Sequence, residues 1–232
     1  MIIIKDAKIA VDKNEVLRYL GYRKERMKEP KQIILNTIRE EIILAAKLIE
    51  PKGIYHLFKI KDFSISEKKI TLENDFSCNI TDSMMKSLLG IERLAIGIVT
   101  IAHALENKIS EYFQRKEYSR GLVLDAVGTV AVRYLSQYVI SIICQEAQKL
   151  KFTTTKRFVP GTQEWDIKVQ KTIFQILPAN QIDVKLSDSL MMNPAKSLSW
   201  AIGMGKQIVN PTKDDNSCRI CYAKNCQFRK NI

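Results

Sequence analysis

The chain has 232 residues, 46% of them hydrophobic and 27% charged, with 37 Lys and Arg against 25 Asp and Glu for a formal net charge of +12. Such a length and composition suit a folded globular chain with a sizeable core, and they exclude a disordered or fibrous one. No uninterrupted apolar run of spanning length appears, and the apolar start lacks a basic leader and a small-residue cleavage site, so a cytoplasmic protein is expected, with neither a membrane span nor a signal peptide.

Taken in chain order, the β-branched residues 2–4 predict a first strand. Asp12 is placed to cap a helix whose apolar face is Val16, Leu17 and Leu20 and which ends at Gly21. Pro30 opens a longer helix in which Ile33, Ile34, Ile38, Ile42 and Ala45 recur at helical spacing, stopping before Pro51. Residues 53–60 and 70–72 read as strands. Thr81 or Asp82 caps a helix running to Leu89. Residues 93–101 form an apolar, β-branched run that suits a strand buried on both faces. Two helices follow, over residues 102–115 and 120–150. The second is amphipathic, with Ala131, Tyr134, Leu135, Tyr138, Val139 and Ile142 on its apolar side. Beyond a loop at Arg157, residues 167–177 read as a helix, and 182–186 and 197–204 as strands.

Short mixed elements without strict strand–helix repetition predict an α+β fold. Composition turns polar over residues 51–75, the weakest joint in the body of the chain. Residues 1–210 are read as one domain and 211–232 as a cysteine-rich tail.

The basic residues are spread along the chain. The densest cluster, Arg23-Lys24-Glu25-Arg26-Met27-Lys28, includes a Glu and no interleaved aromatics, so a solvated lysine-rich surface is favoured over nucleic-acid binding. Gly203-Met204-Gly205-Lys206 lacks the spacing and the Ser or Thr of a phosphate loop. His56 and His103 have no nucleophile partner at a known spacing, and no dinucleotide fingerprint is present.

Two segments carry ligand chemistry. Arg157-Phe158-Val159-Pro160-Gly161 sets a cation beside a stiff Pro-Gly corner. An Arg fork reads a carboxylate bidentately, and a Gly after Pro lets a ligand approach the backbone. About thirty residues on, Asp188-Ser189-Leu190-Met191-Met192-Asn193-Pro194-Ala195-Lys196-Ser197 forms a second polar, Pro-containing loop. The structural alternatives are a loop arginine paired with a nearby carboxylate, and methionines that fill core.

The order Arg-x-x-Pro-Gly, an apolar helix, then Leu-x-x-Ser-x-Met-Met-x-Pro-x-Lys-Ser resembles the activation (reactivation) domain of cobalamin-dependent methionine synthase. Leu20-Gly21-Tyr22, Ile96-Gly97, Leu105-Glu106 and Leu124-Asp125-Ala126-Val127-Gly128 also resemble its stand-alone members. The resemblance implies a mixed, largely antiparallel sheet with packed helices and a site for S-adenosylmethionine. It also implies docking over the cobalamin of a partner, whose inactive cob(II)alamin is reduced and remethylated. It assigns Arg157 to the ligand carboxylate and the backbone at Val159 and Gly161 to its polar groups, with Thr162, Ser189, Met191 and Lys196 as further contacts. Two departures stand out. Thr162 occupies the place of an aromatic Tyr, and residues 128–133 offer Val132 and Arg133 where the family helix supplies an acid; Glu164, Trp165 and Asp166 are candidate substitutes. No Asp-x-His-x-x-Gly segment is present, so the corrinoid is expected on a separate methionine synthase or corrinoid protein. A docking or redox adaptor that binds no S-adenosylmethionine is the alternative.

Cys218, Cys221 and Cys226 lie in the tail as Cys-x2-Cys-x4-Cys. Two thiolates on one turn and a third nearby make most of a soft-ligand site, for an iron–sulfur cluster or for zinc, with Cys78, Cys144, a water or a partner's side chain as the fourth ligand; three free thiols on a basic tail are the alternative. The spacing differs from that of the radical S-adenosylmethionine enzymes.

Overall fold

The computed structural model describes residues 1–22 and 30–208. The tail cysteines Cys218, Cys221 and Cys226, and the basic cluster 23–28, lie outside the described residues. The elements are β1 (Ile2–Ile4), α1 (Lys13–Tyr19), α2 (Gln32–Leu48), β2 (Lys52–Ser64), β3 (Lys69–Leu72), β4 (Ser77–Asn79), α3 (Asp82–Leu88), β5 (Arg93–Thr100), α4 (Ala104–Gln114) and α5 (Tyr118–Lys149). They continue with β6 (Thr153–Phe158), α6 (Val169–Ile176), a 3-10 turn at Ala179–Ile182, β7 (Lys185–Leu186), β8 (Met192–Asn193) and β9 (Ser197–Gly205).

The main sheet runs β4-β3-β2-β5-β9-β6, with β1 also paired to β2, and β7 and β8 form a small hairpin. All of these pairings are antiparallel. The polar stretch 51–75 is not a joint: β2 runs through it and turns back as β3 within the sheet.

β5 sits between β2 and β9 and is buried on both faces, which accounts for its unbroken apolar run. Ala95 and Val99 face one core, the upper one, with Tyr55, Trp200, Ile202 and the helices α1, α2, α4 and α5. Leu94, Ile96 and Ile98 face the other, with Phe58, Phe158, Ala201, α3, α6 and the 3-10 turn. The period-2 alternation of one strand thus serves two cores.

Local signals fix several ends. The Asp12 carboxylate accepts from the Asn14 N–H at 2.9 Å, and Gly21 follows α1 at φ 89°. Of the two candidate caps for α3, Thr81 is the one used; its hydroxyl accepts from the Met84 N–H. α4 and α5 are separated by a tight turn in which Lys116 has φ 62°. α5 has 32 residues and is long and apolar enough to cross a membrane by length and composition. Here its apolar residues pack on the sheet and on α2 and α4. Tyr138, expected on that side, is exposed.

Candidate functional site

Arg157 lies in β6, paired with Ile202 of β9, and not in a loop. The β-branched run Thr153-Thr154-Thr155 carries the strand through to Phe158. Because Phe158 enters the core beneath the sheet, Arg157 points the opposite way, toward α5. Its Nη1 donates to the buried Ser136 hydroxyl at 2.9 Å.

The strand then enters a turn that closes on itself. The Gly161 N–H donates to the Trp165 carbonyl at 2.9 Å, and the Trp165 N–H donates to the Thr162 carbonyl at 3.2 Å. The Thr162 hydroxyl donates to the Val159 carbonyl at 2.9 Å. Gly161 has φ 82°, where a side chain would be strained. Thr162 therefore stabilises its own turn, and the Gly161 N–H is already bonded; what the turn offers a ligand is the second lone pair of the Val159 carbonyl and the exposed faces of Gly161 and Thr162.

The proposed substitutes for the missing acid are all engaged. Glu164 pairs with Lys156 and accepts from the Ser83 hydroxyl at 2.9 Å. Trp165 is buried, and its indole N–H donates to the Asn79 carbonyl at 3.2 Å. Asp166 accepts from the Lys168 N–H at 2.8 Å. Arg133, in the stretch where the acid was sought, donates to the Tyr19 hydroxyl, with its guanidinium 5.6 Å from that ring's centroid.

In the second segment, Ser189 and Met191 sit at the tip of the β7–β8 hairpin. The Ser187 and Ser189 hydroxyls are 2.9 Å apart, and the Met191 N–H donates to the Ser187 hydroxyl at 3.1 Å. Met191 is 62% exposed, so it is not core filler, whereas Met192 packs against the lower core. The Asn193–Pro194 peptide is cis.

Lys196 is held on every side. Its N–H donates to Glu106 of α4 at 2.6 Å, and its ammonium donates to Thr129 at 2.8 Å and pairs with Asp125 at 2.8 Å, both on α5. A Cβ at Gly128 would come 3.4 Å from the Lys196 stem and 2.8 Å from Leu105, so this glycine makes room for the crossing. Asp125 and Gly128, read from sequence as architecture, are the receptor for this lysine.

Arg157 and Lys196 thus meet one stripe of α5, formed by Asp125, Thr129, Val132 and Ser136. They meet it at points seven to eleven residues apart, about 10–16 Å along the helix. The partners Ser136, Thr129, Asp125 and Glu106 were missed as site residues. Polar side chains repeating at helical spacing within an otherwise apolar helix are the signal that would have found them.

The two candidate fourth ligands of the tail are on opposite sides of the sheet. Cys78 is buried in the lower core, where burial pushes its thiol up to about 11. Cys144 packs against the upper core, 3.7 Å from the Thr154 hydroxyl. Among the described residues no group of three or more His, Cys, Asp or Glu is placed to hold a metal.

The main antiparallel sheet, with the long helix α5 and three shorter ones on one face and small helices on the other, makes an α+β fold. No protein-family model and no curated protein matches the sequence. Among solved structures, the MetH reactivation domain bound to AdoHcy is similar, with a TM-score of 0.66 and 12% identity over 88% of this chain and 76% of that one.

Proposed function

We propose that this chain is a stand-alone activation protein. It binds S-adenosylmethionine and supports reductive methylation of the cobalamin carried by a separate methionine synthase or corrinoid methyltransferase, in the cytoplasm. The observation that carries this reading is a fold shared with a domain solved with AdoHcy. Arg157 stands on that fold close to a turn whose Pro160 is buried and whose Gly161 and Thr162 are exposed.

The residues present fit the carboxylate end of such a ligand. The Arg157 guanidinium, oriented by the Ser136 hydroxyl, has the planar fork that matches a carboxylate. The protein's part is positioning, since the methyl donor and the partner's cobalt carry the reaction. The tail cysteines Cys218, Cys221 and Cys226 would hold an iron–sulfur cluster or zinc; a cluster would supply an electron route to the corrinoid.

A docking or redox adaptor without S-adenosylmethionine binding is favoured by two observations. Thr162 turns its hydroxyl into its own turn, and Arg133 occupies the helix stretch where an acid is implied.

Titration of S-adenosylmethionine into anaerobically purified protein, followed by calorimetry, separates the two. Saturable heat that disappears in Arg157→Ala supports the activation role. No heat up to about 1 mM, equivalent to binding weaker than about 4 kcal/mol, with or without the partner corrinoid protein, favours the adaptor. Elemental analysis of the same preparation tests the tail: metal that is lost on replacing Cys218 and Cys221 supports the site, and metal-free protein refutes it.

A further inference from the structure

We propose that Lys196 is a positioning residue, which rests on the ligand reading above: it fixes the Ser187–Ser197 segment against the helix that also holds Arg157. Three independent contacts converge on this one residue. Its main-chain N–H is held by Glu106, its stem crosses α5 over Gly128, and its ammonium is held by Asp125 and Thr129. Only 16% of the side chain is exposed, so the charge is committed to α5 and is not offered to solvent.

The neighbouring bonds extend the anchor into the sheet. The Lys196 carbonyl accepts from the Ile101 N–H at 3.2 Å, and the Ser197 hydroxyl reaches the Pro194 carbonyl at 2.7 Å and the Thr100 hydroxyl at 2.9 Å. The hairpin tip, in contrast, is closed by bonds among Ser187, Ser189, Leu190 and Met191. Met192 seats the hairpin on the other core, and Lys196 fixes its position relative to the helix that holds Arg157. A helix is stiff along its axis, so Ser136 and the Asp125–Thr129 pair act as two fixed points for the two segments. Lys196 belongs to the positioning machinery and is not a direct ligand contact.

The test uses Lys196→Met, which keeps a stem over Gly128 and removes the charge, and Lys196→Arg, which keeps a cation for Asp125. Calorimetry with S-adenosylmethionine is expected to give about tenfold weaker binding for the Met variant, with rescue to within about threefold by Arg. Wild-type affinity in Lys196→Met, or equal loss in both variants, overturns the proposal. If the unmodified protein binds no S-adenosylmethionine, the ligand reading fails, and amide exchange over residues 187–196 decides the anchoring separately. Faster exchange in the Met variant but not the Arg variant upholds the anchor; equal exchange in all three proteins overturns it.

Discussion

Gly97 lies directly beneath Trp200. The two are cross-strand partners on β5 and β9, and a Cβ at position 97 would come within 2.6 Å of the indole. The ring cannot retreat, because it is fully buried under the upper helices. Gly97→Ala is therefore expected to destabilise the fold by about 1–3 kcal/mol through overpacking. Gly53→Ala, whose nearest neighbour would be a Val99 methyl at 3.2 Å, should cost less. Urea unfolding of the two variants side by side checks the order.

A buried carboxylate links α2 to α4 and α5. Glu41 is fully buried and accepts from Arg120 Nε at 2.6 Å and from the Tyr112 hydroxyl at 3.2 Å. Arg120→Met leaves that charge with one neutral donor. With Arg120 partly exposed, the cost is expected at about 2–3 kcal/mol, below the figure for a fully buried pair. The double variant Glu41→Leu/Arg120→Met should be more stable than Arg120→Met alone, as chemical denaturation of both would reveal.

Cys78 gives stability a pH dependence. Burial raises its thiol from an ordinary 9.0 to about 11, so the folded state favours the protonated form. This contribution is fully present below about pH 9 and is lost as the pH rises toward 11. The total is about 2–3 kcal/mol. The wild-type chain should lose stability more steeply than Cys78→Ala between about pH 9 and about pH 11. Parallel slopes in urea midpoints for the two proteins would contradict this.

Thr162 is the place to restore what the resemblance implies. It is exposed at the edge of the Val159–Trp165 turn, and its hydroxyl bond to Val159 is worth about 0.5–1.5 kcal/mol. Thr162→Tyr is expected to lower stability by that amount and to tighten S-adenosylmethionine binding several-fold, since an aromatic face attracts a sulfonium. Thr162→Val should lower stability alike without the gain in affinity. Thermal melts and calorimetry on both variants test the pair of effects.

Much of the architecture was legible where one physical signal dominated. β5 reads as an unbroken apolar run because both its faces are covered, and α1 and α3 announce themselves through Asp12 and Thr81. β4 escaped notice because three residues, only one of them buried, carry too little pattern. The outer part of β2, beyond Ile60, is exposed and polar and is a strand because β3 pairs with it. The expected strand at 182–186 begins late: a 3-10 turn precedes it, and Asp183 takes a left-handed φ of 60°. At the candidate site, the cations Arg157 and Lys196 were visible as residue types. Their direction was not, because it depends on which face of β6 looks at α5 and on Gly128 admitting a side chain across the helix. The aromatic, acidic and backbone contacts depend on turn bonds that no linear spacing encodes.

The apolar stripe of α5 has a bearing on how the chain is made. During synthesis α2, α4 and the β2–β5 pair emerge before this helix does, so much of its cover is waiting when it leaves the ribosome; only β6 and β9 arrive later. A fragment beginning after Leu48 would release the same helix with α1 and α2 missing. Its bare flank would then behave as a sticky, lipid-seeking surface, so the first fifty residues act as an internal escort for the segment most prone to go astray.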